Sequence, residues 1–332
     1  MSESIKLTVV CPVYNEGAFV SQCVESLLKQ DFQKEEMEIL FVDGMSTDNT
    51  REVISRYMET NPFIYLLDNP FQTVPFAMNK GIRNAKGEVI ARVDAHALYP
   101  SNYLSTLYRC LYELKADNVG CIIRTDVKTK TDESLSIREV LCNKWGVGNS
   151  LFRTGVNEAQ LVDTVPFGCF PKETFEKYGL YDSRLDRDQD IELNKRIVNG
   201  GGKIYIVPDT YCVYFARETY RDLAQNSFDN GKWNIWTLFY TRNLESLSVR
   251  HLIPFFFILS LLMTLFLGFV FPKVLIVFAL ILLSYLLLVG LVSYRLSKEK
   301  NLRFSCLIKA FLTLHFSYGV GSLMGFVLWP FK

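Results

Sequence analysis

A chain of 332 residues is long enough for two domains. Its net charge of +1 leaves no basic excess that could neutralise nucleic-acid phosphates, so a nucleic-acid partner is not expected. The eight cysteines include no Cys-x-x-Cys pair, which disfavours zinc and redox motifs; scattered single cysteines are typical of a reduced, cytoplasmic body. The short apolar run near the N-terminus does not have the form of a signal peptide.

The first hundred residues alternate between apolar β-type runs and helical patterns. Strands are expected at Leu7–Val13, Glu38–Val42, Phe63–Leu67 and Val89–Val93. Helices are expected from Val20 onward, after a cap at Asp48, and over Val74–Asn84. This alternation predicts right-handed crossovers and a mostly parallel sheet of the nucleotide-binding type. Gly-x-Gly-x-x-Gly is absent after the first strand, which disfavours a nicotinamide or flavin cofactor.

Two of these strands end in an aspartate. Asp94 and His96 follow the fourth strand, and Asp43 follows the second. Because ligands of open α/β sheets bind at the carboxyl ends of strands, Asp94 and His96 could hold a divalent cation and, through it, a diphosphate. Asp43 could accept a hydrogen bond from a base or ribose. The alternatives are local: Asp94 caps the next helix, His96 is a polar loop residue, and Asp43 is a turn residue.

The last eighty residues contain three long apolar runs, at about 252–271, 274–294 and 306–329. Each can cross a hydrocarbon core of about 30 Å at ~1.5 Å per residue. They are expected to be transmembrane helices; the alternative is core helices of a soluble protein. The third contains Gly319, Gly321 and Gly325, which would allow close packing on neighbouring helices.

The distribution of basic residues predicts an orientation. Lysine and arginine are frequent before the first run and between the second and third, whereas the link between the first two runs has only Lys273. Three spans place both basic segments on one side, which the positive-inside rule makes cytoplasmic. We therefore expect a multi-pass protein of the cell (inner) membrane with a cytoplasmic N-terminal domain.

Four motifs occur in a recognisable order and spacing: Thr8–Glu16, Val42–Thr50, Asn79–Gly87 and Asp94–His96. Together they resemble family 2 glycosyltransferases with a GT-A fold, over roughly residues 5–215. Val162–Phe170, Gly146–Asn149 with Arg153, and Gln225 with Gly231–Trp233 resemble the branch that contains the succinoglycan glucosyltransferase, which also has C-terminal membrane helices. The family implies a nucleotide-sugar donor and an inverting, single-displacement transfer.

The resemblance also implies roles for individual residues. Those implied to form the nucleotide-sugar site are Pro12, Tyr14, Glu16, Asp43, Lys80, Arg83 and Asp94. Asp43 would contact the base, and Asp94 the ribose or the metal. His96 stands where the family has a second aspartate that binds the metal. Because Mn²⁺ accepts nitrogen ligands more readily than Mg²⁺ does, we expect a divalent cation, with Mn²⁺ preferred over Mg²⁺.

An inverting transfer needs a carboxylate that takes the proton of the acceptor hydroxyl. The family pattern is Glu-Asp-x-Glu/Asp-Leu-x-x-Arg, and aligning it on Leu193 and Arg196 makes Asp190 the expected base. Asp188 is the runner-up. A solvated acidic helix start would explain the same residues and is compatible with that role.

Three residues are expected on the acceptor side: Gly168, Cys169 and Trp233. Turn chemistry alone would also explain the loop around Gly168, and Cys169 is more simply a packed side chain than a nucleophile. Residues 216–250 mix aromatic and basic side chains, which suits a membrane interface, although core packing accounts for most of these aromatics. The full Gln-x-x-Arg-Trp motif is absent, so we expect the addition of one sugar rather than a polymer.

These patterns predict a GT-A domain at 1–215, an interfacial amphipathic segment at 216–250 and a membrane domain at 251–332. The expected activity moves a hexose from a UDP- or GDP-sugar to a hydroxyl of a lipid-linked saccharide in surface or exopolysaccharide synthesis. Two alternatives stay open: transfer to polyprenyl phosphate itself, and a non-catalytic membrane scaffold with a degenerate GT-A fold.

Overall fold

The chain passes from one structural unit to a second, returns, and crosses again. The computed structural model describes residues 4–331. One unit comprises the residues up to 124 and residues 155–214, and the other comprises residues 125–154 and those from 215 onward. No sequence pattern indicated that residues 125–154 would group with the C-terminal residues. The domain limits expected above stay a prediction.

A mixed sheet organises the first unit. Its strands are β1 (Leu7–Val13), β2 (Met37–Asp43), β3 (Ile64–Asp68), β4 (Val89–Arg92), β5 (Ala97–Leu98), β6 (Asn118–Asp126), β7 (Gln160–Leu161), β8 (Cys169–Pro171) and β9 (Ile204–Phe215). The order is β3-β2-β1-β4-β8-β6-β9-β5, and β7 pairs with β9 outside that path. The pairs among β1, β2, β3 and β4 are parallel, whereas β8 pairs antiparallel with β4 and β5 pairs antiparallel with β9. The fold class predicted from the sequence is confirmed.

Helices fill the connections and form the C-terminal part of the chain. They are α1 (Val20–Leu28), α2 (Thr50–Met58), α3 (Val74–Asn84), α4 (Tyr103–Glu113), α5 (Asp132–Leu141), α6 (Lys144–Val147), α7 (Leu151–Thr154), α8 (Lys172–Tyr178), α9 (Gln189–Asn199), α10 (Tyr220–Thr241), α11 (Ile253–Val270), α12 (Val274–Lys300) and α13 (Phe304–Leu328). The apolar face predicted for α1 is buried, at Val20, Cys23, Val24 and Leu27. Asn49 immediately precedes α2 but makes no side-chain capping bond, whereas the Asp48 carboxylate, one residue earlier, accepts from Thr50 N at 3.0 Å, so Asp48 does bond the start of the helix as predicted.

A tight turn positions β4 beside β1. Gly87 approaches the β1 backbone so closely that a Cβ there would lie 2.6 Å from Thr8 N. Gly87 N also donates to Thr8 Oγ1 at 2.9 Å. Any larger residue would push β4 away from β1, and the loops after these two strands would separate.

In the second unit, α10 runs beside α13 in the same direction. Near their starts, Tyr220 Oη donates to the Cys306 carbonyl at 3.0 Å; near their ends, Trp236 Nε1 donates to the Gly325 carbonyl at 3.0 Å. Glycines allow this approach, since a Cβ on Gly231 would lie 2.0 Å from a backbone oxygen of α13. Small residues at close helix crossings are typical of membrane proteins.

Helix α5 packs on the same bundle. Ile137 and Val140 are fully buried in one apolar cluster with Phe311 and Leu314 of α13 and Val289 of α12. The Thr131 side chain caps α5 by accepting from Ser134 N. These contacts explain why residues 125–154 belong to the second unit.

Three helical segments are long and apolar enough to cross a membrane: Val249–Val270, Val274–Lys300 and Phe304–Phe331. They correspond to the three apolar runs of the sequence. Large apolar side chains of α11 and α12 are widely exposed, whereas α13 buries a face that includes Phe311, Gly321 and Gly325.

Candidate nucleotide-sugar site

An open cleft of about 450 Å³ lies where β1 and β4 end, within the first unit. It is lined by Pro12, Val13, Tyr14, Glu16, Asn69, Gln72, Thr73, Val74, Ala77, Asp94 and His96. Five residues predicted from the sequence therefore line one cleft: Pro12, Tyr14, Glu16, Asp94 and His96. Its place at the carboxyl ends of parallel strands is that of a small-molecule site.

The backbone of Asp94 is held by a tyrosine. Tyr99 Oη accepts from Asp94 N at 2.8 Å and donates to the Asp94 carbonyl at 3.1 Å. Helix α4 begins only at Tyr103, after Asn102, so Asp94 does not cap it and that alternative is wrong. The Tyr99 hydroxyl is buried and its pKa is raised, first by burial, so it stays protonated and able to donate. No sequence pattern pointed to this tyrosine.

His96 is held by a carboxylate across the cleft. Its Nδ1 lies 3.3 Å from Glu16 Oε1, and both side chains are partly exposed. A carboxylate bonded to one ring nitrogen fixes the tautomer and orientation of a histidine that binds metal through the other. Glu16 is therefore in a position to orient the His96 ring.

The side chains at this site suit a cation whose remaining ligands come from the substrate. Among residues 4–331 there is no group of three or more His, Cys, Asp or Glu side chains arranged to hold a metal ion. Asp94 and His96 could supply two ligands, and a set of that size fits Mg²⁺ and Mn²⁺, because such ions are commonly bound by one or two protein ligands and the phosphates of a nucleotide.

Two loops at this edge of the sheet hold each other through side chains. Asn15, with a left-handed φ of 54°, accepts from Thr47 N at 2.8 Å. Asp48 accepts from Gly17 N at 2.9 Å and from Thr50 N at 3.0 Å. Slight burial works against ionisation, but the bonds from Thr50 and Gly17 lower the pKa of Asp48 overall. Asp48 therefore joins the loop after β2 to the loop after β1, which carries Tyr14 and Glu16.

Three of the predicted nucleotide contacts lie elsewhere in the described part of the chain. Asp43 is fully buried, and its carboxylate accepts from Ser46 Oγ at 2.5 Å and from Arg51 Nη1 at 2.6 Å. Lys80 donates to a backbone carbonyl at the end of β3, and Arg83 is exposed. None of the three lines the cleft, and their contacts with a nucleotide stay predictions.

The candidate bases stand at the start of α9. Asp188 precedes the helix with a left-handed φ of 59°, and Asp190 is in its first turn. Asn194 anchors α9 to the segment before β8, because its side-chain amide donates to Thr164 Oγ1 at 2.8 Å and to the Val165 carbonyl at 2.9 Å. The first turn of a helix favours carboxylates in their charged form.

The predicted acceptor-side residues fall in two places. Gly168 has a φ of 93°, which favours glycine, and its carbonyl accepts from Arg92 N at 2.9 Å. Cys169 is 1% exposed, and burial raises the pKa of its thiol, so it is a packed side chain rather than a nucleophile. Trp233 is 7% exposed in α10, with its ring 5.0 Å from that of Trp236.

Comparison with known proteins agrees with this geometry. Glycosyl transferase family 2 matches residues 8–178, just over half of the chain. The "Dolichyl N-acetyl-alpha-D-glucosaminyl phosphate 3-beta-D-2,3-diacetamido-2,3-dideoxy-beta-D-glucuronosyltransferase" of Methanococcus voltae is 27% identical over 77% of this chain and 85% of its own. The succinoglycan biosynthesis protein ExoA of Rhizobium meliloti is 26% identical over 68% of this chain and 67% of its own.

A solved structure supports the fold. The mannosyltransferase PcManGT of Pyrobaculum calidifontis, in complex with GDP-Man and Mn²⁺, aligns over 96% of this chain and 87% of its own, with a TM-score of 0.60 and 18% identity. The chain belongs to glycosyltransferase family 2 and has the GT-A fold. It is accordingly a glycosyltransferase.

Proposed function

We propose that this enzyme moves a hexose from a UDP- or GDP-sugar to a hydroxyl of a lipid-linked saccharide in the synthesis of a surface or exopolysaccharide. The observation that carries the proposal is the cleft that gathers Pro12, Tyr14, Glu16, Asp94 and His96. The acceptor class is supported by the two relatives, since one is named for a dolichyl-linked sugar phosphate and the other for succinoglycan biosynthesis.

Asp190 is the proposed general base, with Asp188 as the second candidate. Its carboxylate takes the proton of the acceptor hydroxyl as that oxygen forms a bond to the anomeric carbon. The bond from that carbon to the diphosphate breaks, and the nucleoside diphosphate leaves from the opposite face with the electron pair. A divalent cation held by Asp94 and His96 would offset the charge that grows on this leaving group.

Membrane attachment brings the chain to its proposed acceptor. The three apolar helical segments are long enough to cross the bilayer. Basic residues before α11 and between α12 and α13 support, by the positive-inside rule, the proposal that those ends and the catalytic domain are cytoplasmic. Residues 216–250 are proposed to lie near the interface, where aromatic and basic side chains are favoured.

A nucleotide-sugar screen tests the proposal. The full-length protein in detergent would be heated with UDP- and GDP-sugars, each with Mn²⁺ or Mg²⁺. A donor at a hundred times its Kd stabilises by about 2.7 kcal/mol, so one sugar should raise the Tm clearly. Transfer to a polyprenyl-diphosphate saccharide would then be measured with that donor. If no donor stabilises the protein with either ion, the proposal fails and a scaffold becomes the better account.

The same transfer assay distinguishes this proposal from the alternative in which polyprenyl phosphate itself is the acceptor. Polyprenyl phosphate is already ionised and needs no general base. Transfer to polyprenyl phosphate that survives Asp190→Asn would favour this acceptor, whereas loss of transfer in that variant supports the hydroxyl acceptor.

A further inference from the structure

Helix α13 differs from the two other helices that are long enough to cross a membrane. Of the three apolar segments, the one that contains α13 is the least apolar and the most buried. Other parts of the second unit cover one side of it, and its buried residues include Leu307, Phe311, Leu314, Gly321 and Gly325. The elements that cover α13 therefore decide whether it can lie in the bilayer.

Helix α10 is one of these elements, and it is charged. It accompanies α13 from the bond between Tyr220 and Cys306 to the bond between Trp236 and Gly325. The backbones are close, since a Cβ on Gly325 would lie 2.8 Å from the Lys232 carbonyl oxygen. Over this length α10 contains the charged side chains Arg221, Asp222, Asp229 and Lys232. If α13 crossed the bilayer, these charges would enter the hydrocarbon core beside it, which is among the costliest places for a charged side chain.

Helices α5 and α6 cover the first half of α13. Arg303, just before α13, forms an ion pair with Asp132 of α5, with 2.7 Å between Nε and Oδ2. Ile137 and Val140 of α5 are fully buried in the cluster that includes Phe311, and α6 also contacts α13. Neither α5 nor α6 is long enough to cross a bilayer, and α5 carries charges of both signs. The first half of α13 therefore packs among elements that stay outside the hydrocarbon core.

The second half of α13 crosses the start of α11 instead of following that helix. A Cβ on Gly319 would lie 2.4 Å from the Pro254 carbonyl oxygen. The ring of Phe326 lies 5.2 Å from that of Phe255, measured between ring centres. Gly319 and Phe326 are separated by about 10 Å along α13, yet they meet consecutive residues in the first turn of α11. If the two helices spanned a bilayer side by side, Phe326 would instead lie about two turns of α11 away from Pro254.

The far half of the hairpin formed by α11 and α12 is almost entirely exposed. Within residues 262–284, all of which the structure describes, only Gly268 is buried. A Cβ on Gly268 would meet Leu275 of α12 at 2.3 Å, so the two helices of the hairpin cover each other there. The buried residues of α12 are Val289, Ser293 and Leu296, all in its second half. A third span would bury further side chains of the far half, because packed helices interdigitate along their shared length.

We propose that only α11 and α12 cross the bilayer, as a hairpin, and that α13 lies with α10 on the membrane surface from which the hairpin enters. Helix α11 has 18 residues, which reach about 27 Å and nearly match a hydrocarbon core of about 30 Å. The partner of the α10–α13 pair is then the headgroup layer of the bilayer, where helices with both apolar and charged faces are favoured.

The number of spans fixes the side of the membrane on which α13 ends. Two spans, like three, keep the basic segments before α11 and after α12 on one side, as the positive-inside rule requires. With two spans the end of α13 is on that side as well, whereas three spans place it on the opposite side. This inference goes beyond the proposed reaction and does not depend on its donor or its acceptor.

Thiol labelling of the full-length protein tests on which side α13 ends. Three exposed residues are replaced one at a time: Leu244→Cys before α11, Lys273→Cys between α11 and α12, and Phe331→Cys after α13. Spheroplasts of an expressing bacterium are treated with a membrane-impermeant maleimide before and after permeabilisation, and the wild-type chain gives the background from its eight cysteines. Lys273→Cys should be labelled in intact spheroplasts, and the control Leu244→Cys only after permeabilisation. Phe331→Cys is expected to match Leu244→Cys; if it matches Lys273→Cys, α13 spans the membrane and the inference is overturned.

Two C-terminal fusions of the full-length protein decide the question even if the thiol introduced by Phe331→Cys does not react. Green fluorescent protein becomes fluorescent in the cytoplasm, whereas alkaline phosphatase needs disulfides that form only outside it. With two spans the first fusion should be fluorescent and the second should lose its phosphatase activity; the reverse pattern would overturn the inference. Neither experiment measures sugar transfer, so a protein that transfers no sugar would contradict the proposed function and leave the result on the spans intact.

Discussion

Removing one hydroxyl, in Tyr99→Phe, should weaken the site more than its small size suggests. Tyr99 Oη is the described acceptor of Asp94 N, at 2.8 Å, and Tyr99 is 4% exposed. The Asp94 carbonyl would keep a second donor, Ala97 N at 3.2 Å, whereas the Asp94 N–H would lose its acceptor in a buried setting. One orphaned buried donor costs roughly 1–3 kcal/mol.

The thermal stability of the protein and the metal dependence of its activity should both report the loss of the Tyr99 hydroxyl. At about 2–4 °C per kcal/mol for a unit of this size, the Tm should fall by roughly 2–12 °C. Because a displacement of about 1 Å can cost ~10²-fold in rate, kcat should fall, and the Mn²⁺ concentration for half-maximal activity should rise. The measurements are thermal unfolding in detergent and a Mn²⁺ titration of nucleotide-sugar turnover.

The matched control removes a hydroxyl from an exposed tyrosine of β3, in Tyr65→Phe. This variant should keep its Tm and its Mn²⁺ dependence. If Tyr99→Phe behaves like Tyr65→Phe in both assays, the hydroxyl does not hold Asp94 and the reasoning is refuted.

Four other outcomes follow from the site and the bundle. Asp190→Asn should lower kcat by about 10²–10⁴-fold while calorimetry shows the donor Kd unchanged; full turnover would refute the base. His96→Asp should raise activity with Mg²⁺ relative to Mn²⁺, and an unchanged ratio in metal titrations would contradict the imidazole ligand. Asp48→Asn should lower the Tm near neutral pH. Since the folded pKa of Asp48 lies below its usual value of about 3.9, this deficit should be full above about pH 5 and shrink as the pH falls through the folded pKa; a deficit that persists at low pH would count against the loop bonds. Gly231→Ala should lower the Tm because its Cβ meets an α13 carbonyl at 2.0 Å, whereas the Cβ of Gly290→Ala meets nothing within 4 Å; equal Tm values would disprove the close crossing.

Apolar periodicity located the parallel half of the sheet well. Strand β4 was expected at Val89–Val93 and occupies Val89–Arg92, and α3 occupies the expected Val74–Asn84. The antiparallel half was beyond reach because β5 and β7 are two residues each, too short for a pattern. Their pairing with β9 depends on contacts distant in sequence.

The candidate site was predictable where its polar side chains come directly after a strand. Asp94 and His96 stand directly after β4, so the sequence alone marked them. Tyr99 and the orientation of Glu16 toward His96 were not predictable, since both depend on how separate loops meet. The burial of Asp43 was not predictable for the same reason, because its partner Arg51, eight residues later, reaches it only once α2 has formed.

The packing of α13 has a consequence for the order in which the protein is made. A ribosome completes α5 and α10 before α13, yet both helices bury apolar side chains against it: Ile137 and Val140 from α5, and Leu223 from α10. During synthesis these surfaces stay uncovered until α13 is made, more than sixty residues downstream of α10. A chain that stalls before Phe304 would therefore present two unfinished apolar faces to chaperones and proteases, and quality control of this enzyme would depend on its last described helix.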